Sequence, residues 1–282
     1  MIVVVGAGPA GMAAAVRAHE SGARVMVIDD NRAPGGQIWR GDARQRWVSR
    51  FRTAGIPLLA GSSVIAGGGS TLLVETCEGS ARRIEYESVI LATGAREIFL
   101  PFPGWTLPGV MGAGGLQALA KSGLPVAGRN IVVAGSGPLL IAVAAYLRKR
   151  GAHVKLIAEQ APSRSVAGFG LRVLRNPYKL LQGAGLFWNR AGVRFIPDCW
   201  VTAAEGRGRV ERVTFEHAGK IWTEECDYAA IGYGLCPNTE LAALLGSAPN
   251  VFTAGECTGM IGGVDLAIVV LRPLCSTRKF RL

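Results

Sequence analysis

The chain has 282 residues, enough for two packed domains each with its own apolar core, and 49% hydrophobic content with 39 glycines excludes a disordered polypeptide. The formal charge of +11 raises the question of nucleic acid. Its densest basic cluster (Arg40, Arg44, Arg46, Arg50, Arg52) falls where Ala43, Trp47, Phe51 and Ala54 recur at helical spacing, which predicts the solvated face of a helix over a docking patch for an acidic partner. No nucleic-acid partner is expected.

Ile2–Val5 is a short β-branched run ending in glycine, Pro9–Glu20 is alanine-rich and helical until Gly22, and Arg24–Asp29 reads as a second strand. This is a βαβ unit, the building block of parallel sheets. The apolar opening is shorter than the ~20 residues a membrane span needs and is broken by Gly6, Gly8, Pro9 and Gly11, so no span is expected. With no basic segment ahead of that run to make a secretory signal, a cytoplasmic location is expected.

The turn Gly6-Ala7-Gly8-Pro9-Ala10-Gly11 carries the chemistry of this unit. Gly6 permits a sharp turn, Gly8 lets the backbone approach a pyrophosphate, and Gly11 lets the helix lie close to the strand. Free N–H groups at the helix start then face the phosphates. Asp29, 23 residues after Gly6, ends the second strand where a carboxylate accepts ribose hydroxyls.

Ser63–Ile90 reads as an antiparallel meander with glycine turns, packed on the first sheet. Proline and glycine then crowd Pro101–Gly128, marking a hinge or linker and a domain boundary. A second βαβ unit follows at Asn130–Glu159, with Gly135 and Gly137 in its turn. Leu140 replaces its third glycine, which sets the helix farther from its strand. The step that leads from Gly6 to Asp29 leads from Gly135 to Ala158, with Glu159 one place later and so expected on the other face of the strand. The second turn is left open between NAD(P), another adenine nucleotide and an empty structural copy.

Six dispersed cysteines form no C-x-x-C pair and have no histidine at metal-ligand spacing, so they read as reduced and structural, with no metal expected. His19, His153 and His217 are isolated and read as surface or packing residues. No catalytic acid or base is identified, and any chemistry falls to a cofactor.

Ala92-Thr93-Gly94 after the apolar strand Ser88–Leu91, and Gly255-Glu256 after Val251–Ala254, complete a three-part order that resembles the two-dinucleotide flavoproteins, the glutathione and thioredoxin reductase superfamily. The resemblance implies an α/β fold of two Rossmann-like dinucleotide-binding domains, parallel sheets with antiparallel β meanders. It implies an FAD-binding domain at 1–104 plus 237–282 and an NAD(P)-binding-like domain at 105–236. It also implies FAD held by Gly6, Gly8, Pro9, Ala10, Gly11 and Asp29, with Gly36-Gln37 along the cofactor, Val64 at the adenine, Ala92, Thr93 and Gly94 as a further FAD-binding segment, and Gly255 and Glu256 at the flavin's ribityl and pyrophosphate portion.

Within that superfamily, Gly35-Gly36-Gln37-Ile38, Ala92–Glu97, Pro103–Val110, Ala254–Gly259 and Gly262-Gly263-Val264-Asp265 resemble the flavoprotein subunits of opine oxidases, hydrogen cyanide synthase and dye-linked proline or hydroxyproline dehydrogenases. This resemblance implies an FAD-dependent oxidoreductase subunit that relays electrons beside a second, FAD-containing, substrate-oxidising subunit. The amine or amino acid would bind on that partner. A stand-alone NAD(P)H-dependent flavin reductase and a non-catalytic or truncated nucleotide-binding scaffold remain as alternatives. After Ala267 the chain departs from the group's pattern, and its basic tail, Ile268–Leu282, reads as a frameshifted or truncated end that weakens FAD binding.

Overall fold

The computed structural model describes residues 1–42, 45–174, 193–246, 248–258 and 271–273. It contains two compact units, unit 1 being Met1–Arg96 with Leu235–Leu282 and unit 2 being Glu97–Gly234.

In unit 1, β1 (Ile2–Val5), α1 (Pro9–Glu20) and β2 (Val25–Asp29) form the first βαβ unit. Then follow α2 (Arg46–Thr53), β3 (Leu58–Ala60), the strands β4 (Ser62–Gly68), β5 (Thr71–Thr76) and β6 (Ala81–Glu85), and β7 (Ser88–Leu91). β8 (Ala95–Glu97) closes this stretch. Past unit 2 come β17 (Leu235–Pro237), α6 (Glu240–Leu245), β18 (Val251–Ala254), a 3-10 turn (Gly255–Thr258) and β19 (Leu271–Pro273). The sheet order is β19-β18-β7-β1-β2-β3, and only β19 runs antiparallel to its neighbour.

Both faces of this sheet are covered, which is why β1 is an unbroken β-branched run rather than an alternating one. Val4, Val27 and Ile90 pack with Met12 and Ala15 of α1 and Val48 and Phe51 of α2 on one side. Val3, Val5, Ile28 and Leu91 pack with Leu72 and Val74 of the antiparallel β4-β5-β6 sheet on the other. Of the arginine-rich segment, Arg46, Arg50 and Arg52 lie in α2, with Val48 and Phe51 buried, whereas Arg40 precedes the helix and donates to the Asn31 side-chain carbonyl; Arg50 pairs with Glu20 and lies 5.1 Å from the centre of the Trp47 ring. Arg44 and Ala43 lie outside the described residues.

Unit 2 repeats the plan with β9 (Val110–Gly112), α3 (Ala113–Lys121), β10 (Asn130–Gly135), α4 (Leu139–Lys149), β11 (His153–Glu159), α5 (Ser163–Leu174), β12 (Arg194–Pro197), β13 (Cys199–Glu205), β14 (Arg212–His217), β15 (Lys220–Glu225) and β16 (Tyr228–Gly232). Its parallel sheet has the order β12-β11-β10-β16-β9. Leu116 of α3 and Leu140, Val143 and Leu147 of α4 cover one face. Val201, Val213 and Phe215 of the antiparallel β13-β14-β15 sheet cover the other. Two Rossmann-like parallel-sheet units with antiparallel meanders are therefore the fold.

Pro101–Gly128 is not a linker. It contains β9 and α3, which are the edge strand and a core helix of unit 2. Several of its glycines are crowded by neighbouring groups. A Cβ on Gly104 would stand 1.9 Å from the Ala204 carbonyl oxygen, and one on Gly112 would stand 2.3 Å from Oε2 of Glu97. That carboxylate caps α3, accepting the amides of Gly114 at 2.7 Å and Gly115 at 2.9 Å. Glu97–Gly104 is thus tied into unit 2, and the compact units divide after Arg96 and Gly234, where the sequence places the boundaries after 104 and 236.

Phe215 is fully buried at the centre of the β13-β14-β15 face. Phe215→Ala is expected to destabilise unit 2 by about 3–5 kcal/mol, read as a shift in its urea unfolding transition.

Candidate functional site

The first turn is built by backbone contacts that only glycine permits. Gly6 has φ +105, and a Cβ there would stand 2.3 Å from the Ala92 carbonyl oxygen. A Cβ on Gly11 would stand 1.8 Å from the carbonyl oxygen of Gly6, so α1 lies directly on the turn that precedes it. Gly8 is the extended N-cap of α1, with no side-chain cap, and Pro9 opens the helix. Gly36, at φ +56, presses on the same turn: its Cβ would stand 2.9 Å from the Gly8 Cα, and the Gly35 amide donates to the Ala7 carbonyl at 2.9 Å.

Asp29, at the end of β2, is buried at 6% exposure. Its Oδ2 accepts the Ala7 amide, while Oδ1 accepts the Asn31 amide at 2.7 Å and the Asn31 side-chain amide at 2.9 Å. The carboxylate is fastened behind the turn. The Gly8, Ala10 and Gly11 amides keep no acceptor among the described residues. Burial, and then the neighbouring Asp29 charge, pushes the Asp30 carboxyl above its ordinary value.

A cleft of about 570 Å³ opens here, lined by Gly6, Asp29, Val64, Ala92 and Thr93 among the residues singled out from sequence. Asp30, Asn238, Leu241 and Leu244 also line it and carried no sequence signal. Asn238 is 145 residues from Thr93, yet the Thr93 hydroxyl donates to its carbonyl at 2.9 Å and its side-chain amide donates to the Thr93 carbonyl at 2.9 Å. The Asn238 amide also donates to the Gly94 carbonyl at 3.0 Å. Gly8, Pro9, Ala10, Gly11, Gly36, Gln37, Gly94, Gly255 and Glu256 are not in the cleft lining. Gly255 and Glu256 start the 3-10 turn after β18, where burial pushes the Glu256 carboxyl above its ordinary value. Gly259, Gly262-Gly263-Val264-Asp265 and most of the basic tail lie outside the described residues.

The second turn corrects the register expected for its carboxylate. Ile131 pairs with Val154 but Val132 pairs with Leu156, so Lys155 is an extra residue in a β-bulge. Beyond the bulge Gly135 pairs with Glu159. Glu159 therefore ends its strand beside the turn, as Asp29 does, rather than on the opposite face. Leu140 is accommodated because α4 begins one residue later than α1, at Leu139, with Pro138 as its N-cap. Its first turn closes through a 3.2 Å bond from the Leu140 amide to the Gly137 carbonyl. Gly135 keeps the close strand contact, its Cβ position lying 1.8 Å from the Gly232 carbonyl oxygen.

These two turns on two covered parallel sheets define a two-dinucleotide-binding architecture. Residues 1–269 match the family model for pyridine nucleotide-disulphide oxidoreductase, and the chain belongs to that family. The HcnB subunit of hydrogen cyanide synthase from Pseudomonas aeruginosa is 32% identical over 93% of this chain and 67% of its own length. The A subunit of opine oxidase from Rhizobium meliloti is 33% identical over 97% of this chain and 62% of its own. The chain thus spans about two-thirds of the length of these relatives and is related to their class of flavoprotein subunits. The crystal structure of T. acidophilum thioredoxin reductase shares the fold at a TM-score of 0.69 and 19% identity, over 95% of this chain and 93% of that one.

Gly11→Ala forces a Cβ onto the Gly6 carbonyl and is expected to cost about 1–3 kcal/mol or more of stability, seen as a lowered urea midpoint for unit 1. The raised Glu256 carboxyl gives a second expectation. Between the unfolded pKa and the higher folded one the folded chain binds more protons, so this group's contribution falls as pH rises through that interval. Glu256→Gln should flatten that part of the stability–pH curve.

Proposed function

We propose that unit 1 binds FAD and that the chain is the electron-relaying flavoprotein subunit of a heteromeric amine or amino-acid dehydrogenase or oxidase. The observation that carries the cofactor assignment is the first turn. It presents the Gly8, Ala10 and Gly11 amides at a helix N-terminus, backed by glycine contacts that a side chain would block and flanked by a buried carboxylate.

In this reading those amides and Pro9 hold the pyrophosphate, Asp29 accepts the adenosine ribose hydroxyls, and Val64 contacts the adenine. Gly36 and Gln37, Ala92, Thr93 and Gly94, and Gly255 and Glu256 serve the remainder of the cofactor. Thr93 and Asn238 hold each other's loops through two hydrogen bonds, which fixes the wall of the cleft against which the cofactor would lie. Bound FAD supplies reversible electron acceptance. The chain's own residues position it and exclude water from its phosphates.

The partner assignment draws support from relatives that are themselves named as subunits: HcnB of hydrogen cyanide synthase, the A subunit of opine oxidase and the alpha subunit of sarcosine oxidase. A substrate pocket on a second protein fits a cleft whose acidic lining is already engaged among the described residues: Asp29 accepts the Ala7 amide, Asp30 accepts the Asn31 side-chain amide and Glu240 pairs with Arg96.

The purified full chain is expected to be yellow, to release FAD rather than FMN on denaturation, and to co-purify with a second flavoprotein. Asp29→Ala is expected to weaken FAD binding at least about tenfold, equivalent to about 1.4 kcal/mol, in fluorescence titrations of the apoprotein. A colourless chain that FAD does not reconstitute would end the cofactor assignment.

A further inference from the structure

The two turns differ in what they leave available to a phosphate. In the first, Asp29 takes the amide of Ala7, the middle residue of Gly6-Ala7-Gly8, and leaves the Gly8 amide alone. In the second, the side chain is one methylene longer and reaches one residue further. Glu159 Oε2 accepts the Gly137 amide at 2.8 Å, and Oε1 accepts the Ser136 hydroxyl at 2.8 Å and the Ala161 amide at 2.9 Å. The carboxylate is buried at 5% exposure. It sits on the amide that corresponds to Gly8, and Ser136, standing where the first turn has Ala7, adds a hydroxyl that locks it there.

The helix start removes a further donor. The Leu140 amide is turned inward onto the Gly137 carbonyl at 3.2 Å, whereas its counterpart at Gly11 has no acceptor among the described residues. Among the described residues, the Gly8, Ala10 and Gly11 amides all lack an acceptor, whereas of Gly137, Leu139 and Leu140 only the Leu139 amide does. A pyrophosphate arriving at the second turn meets one open donor of the three and a buried carboxylate of its own sign. Like charges brought together away from water repel strongly, and the carboxylate cannot leave without stranding its three donors.

We propose that Glu159 is a built-in anion that closes the second turn, so that unit 2 accepts neither NADH nor NADPH and the chain draws no hydride from a pyridine nucleotide. The residues present do not fit the dinucleotide that the family's name implies. The Lys155 bulge is then the device that delivers the carboxylate to the turn, and Ser136 and the late start of α4 complete the closure. This concerns unit 2 alone and stands whether or not unit 1 holds FAD.

The test uses the full chain as purified, with hydrogen exchange followed in residues 135–142 so that binding is assigned to this turn irrespective of the state of unit 1. The wild-type chain is expected to show no saturable protection of 135–142 by NADH or NADPH up to about 1 mM. Glu159→Gln removes the charge while keeping the side chain's shape, and is expected to bind ADP at this turn at least about tenfold more tightly than the wild type. In the absence of nucleotide the Gly137 amide should exchange faster in the variant. Saturable protection of 135–142 by either pyridine nucleotide in the wild type would overturn the proposal. So would an ADP affinity in Glu159→Gln equal to or weaker than that of the wild type, because Glu159 would then be a ribose acceptor or a bystander rather than the closure.

Discussion

The approach of three stretches of backbone at Gly6, Gly11 and Ala92 sets the geometry of unit 1. With a Cβ position on Gly11 only 1.8 Å from the Gly6 carbonyl, α1 has no freedom to lift from the sheet, and its first turn is held over the C-terminal ends of β1 and β7. The Asp29 carboxylate and Thr93 are gathered beside that contact. Replacing any of these glycines moves a helix rather than a side chain, and helices carry the dipole and the free N–H groups on which anion binding depends.

Unit 2 keeps half of this arrangement. Gly135 lies against the Gly232 carbonyl as closely as Gly11 lies against Gly6, so the strand-to-strand part of the turn is intact. The helix-to-turn part is relaxed, since Leu140 is wholly buried in the α3–α4 core and α4 starts one residue later. Apolar packing has been gained where backbone contact was given up. The stability of the unit comes from that core, while two of the three amides a ligand would need, those of Gly137 and Leu140, are turned to internal acceptors.

The βαβ units, the β4-β5-β6 meander and the first turn were legible because each is written in local sequence: β-branched runs, an alanine-rich helix, glycines at fixed steps. Asn238 was not, since its role depends on a partner 145 residues away. The α3 segment was misleading for a different reason. Glycine density there reads as chain flexibility, but Gly112, Gly114 and Gly115 are a socket for the Glu97 carboxylate, which caps the helix they begin. Composition alone does not distinguish a glycine that moves from one that is crowded.

Glu159 shows the same limit in register. Counting from Gly135 assumes regular strands, and a single bulged residue, Lys155, shifts every later position by one. The shift matters because side chains alternate faces along a strand, so one inserted residue decides whether a carboxylate meets the turn or the opposite side. With the bulge, the carboxylate arrives at the turn; with glutamate rather than aspartate, it arrives one amide further along than its counterpart in unit 1. The duplicated units therefore share a fold and an acidic strand end but differ in the group the acid holds. That difference of one amide, rather than the presence or absence of the glycine motif, separates a turn that is open to phosphate from one that is already filled.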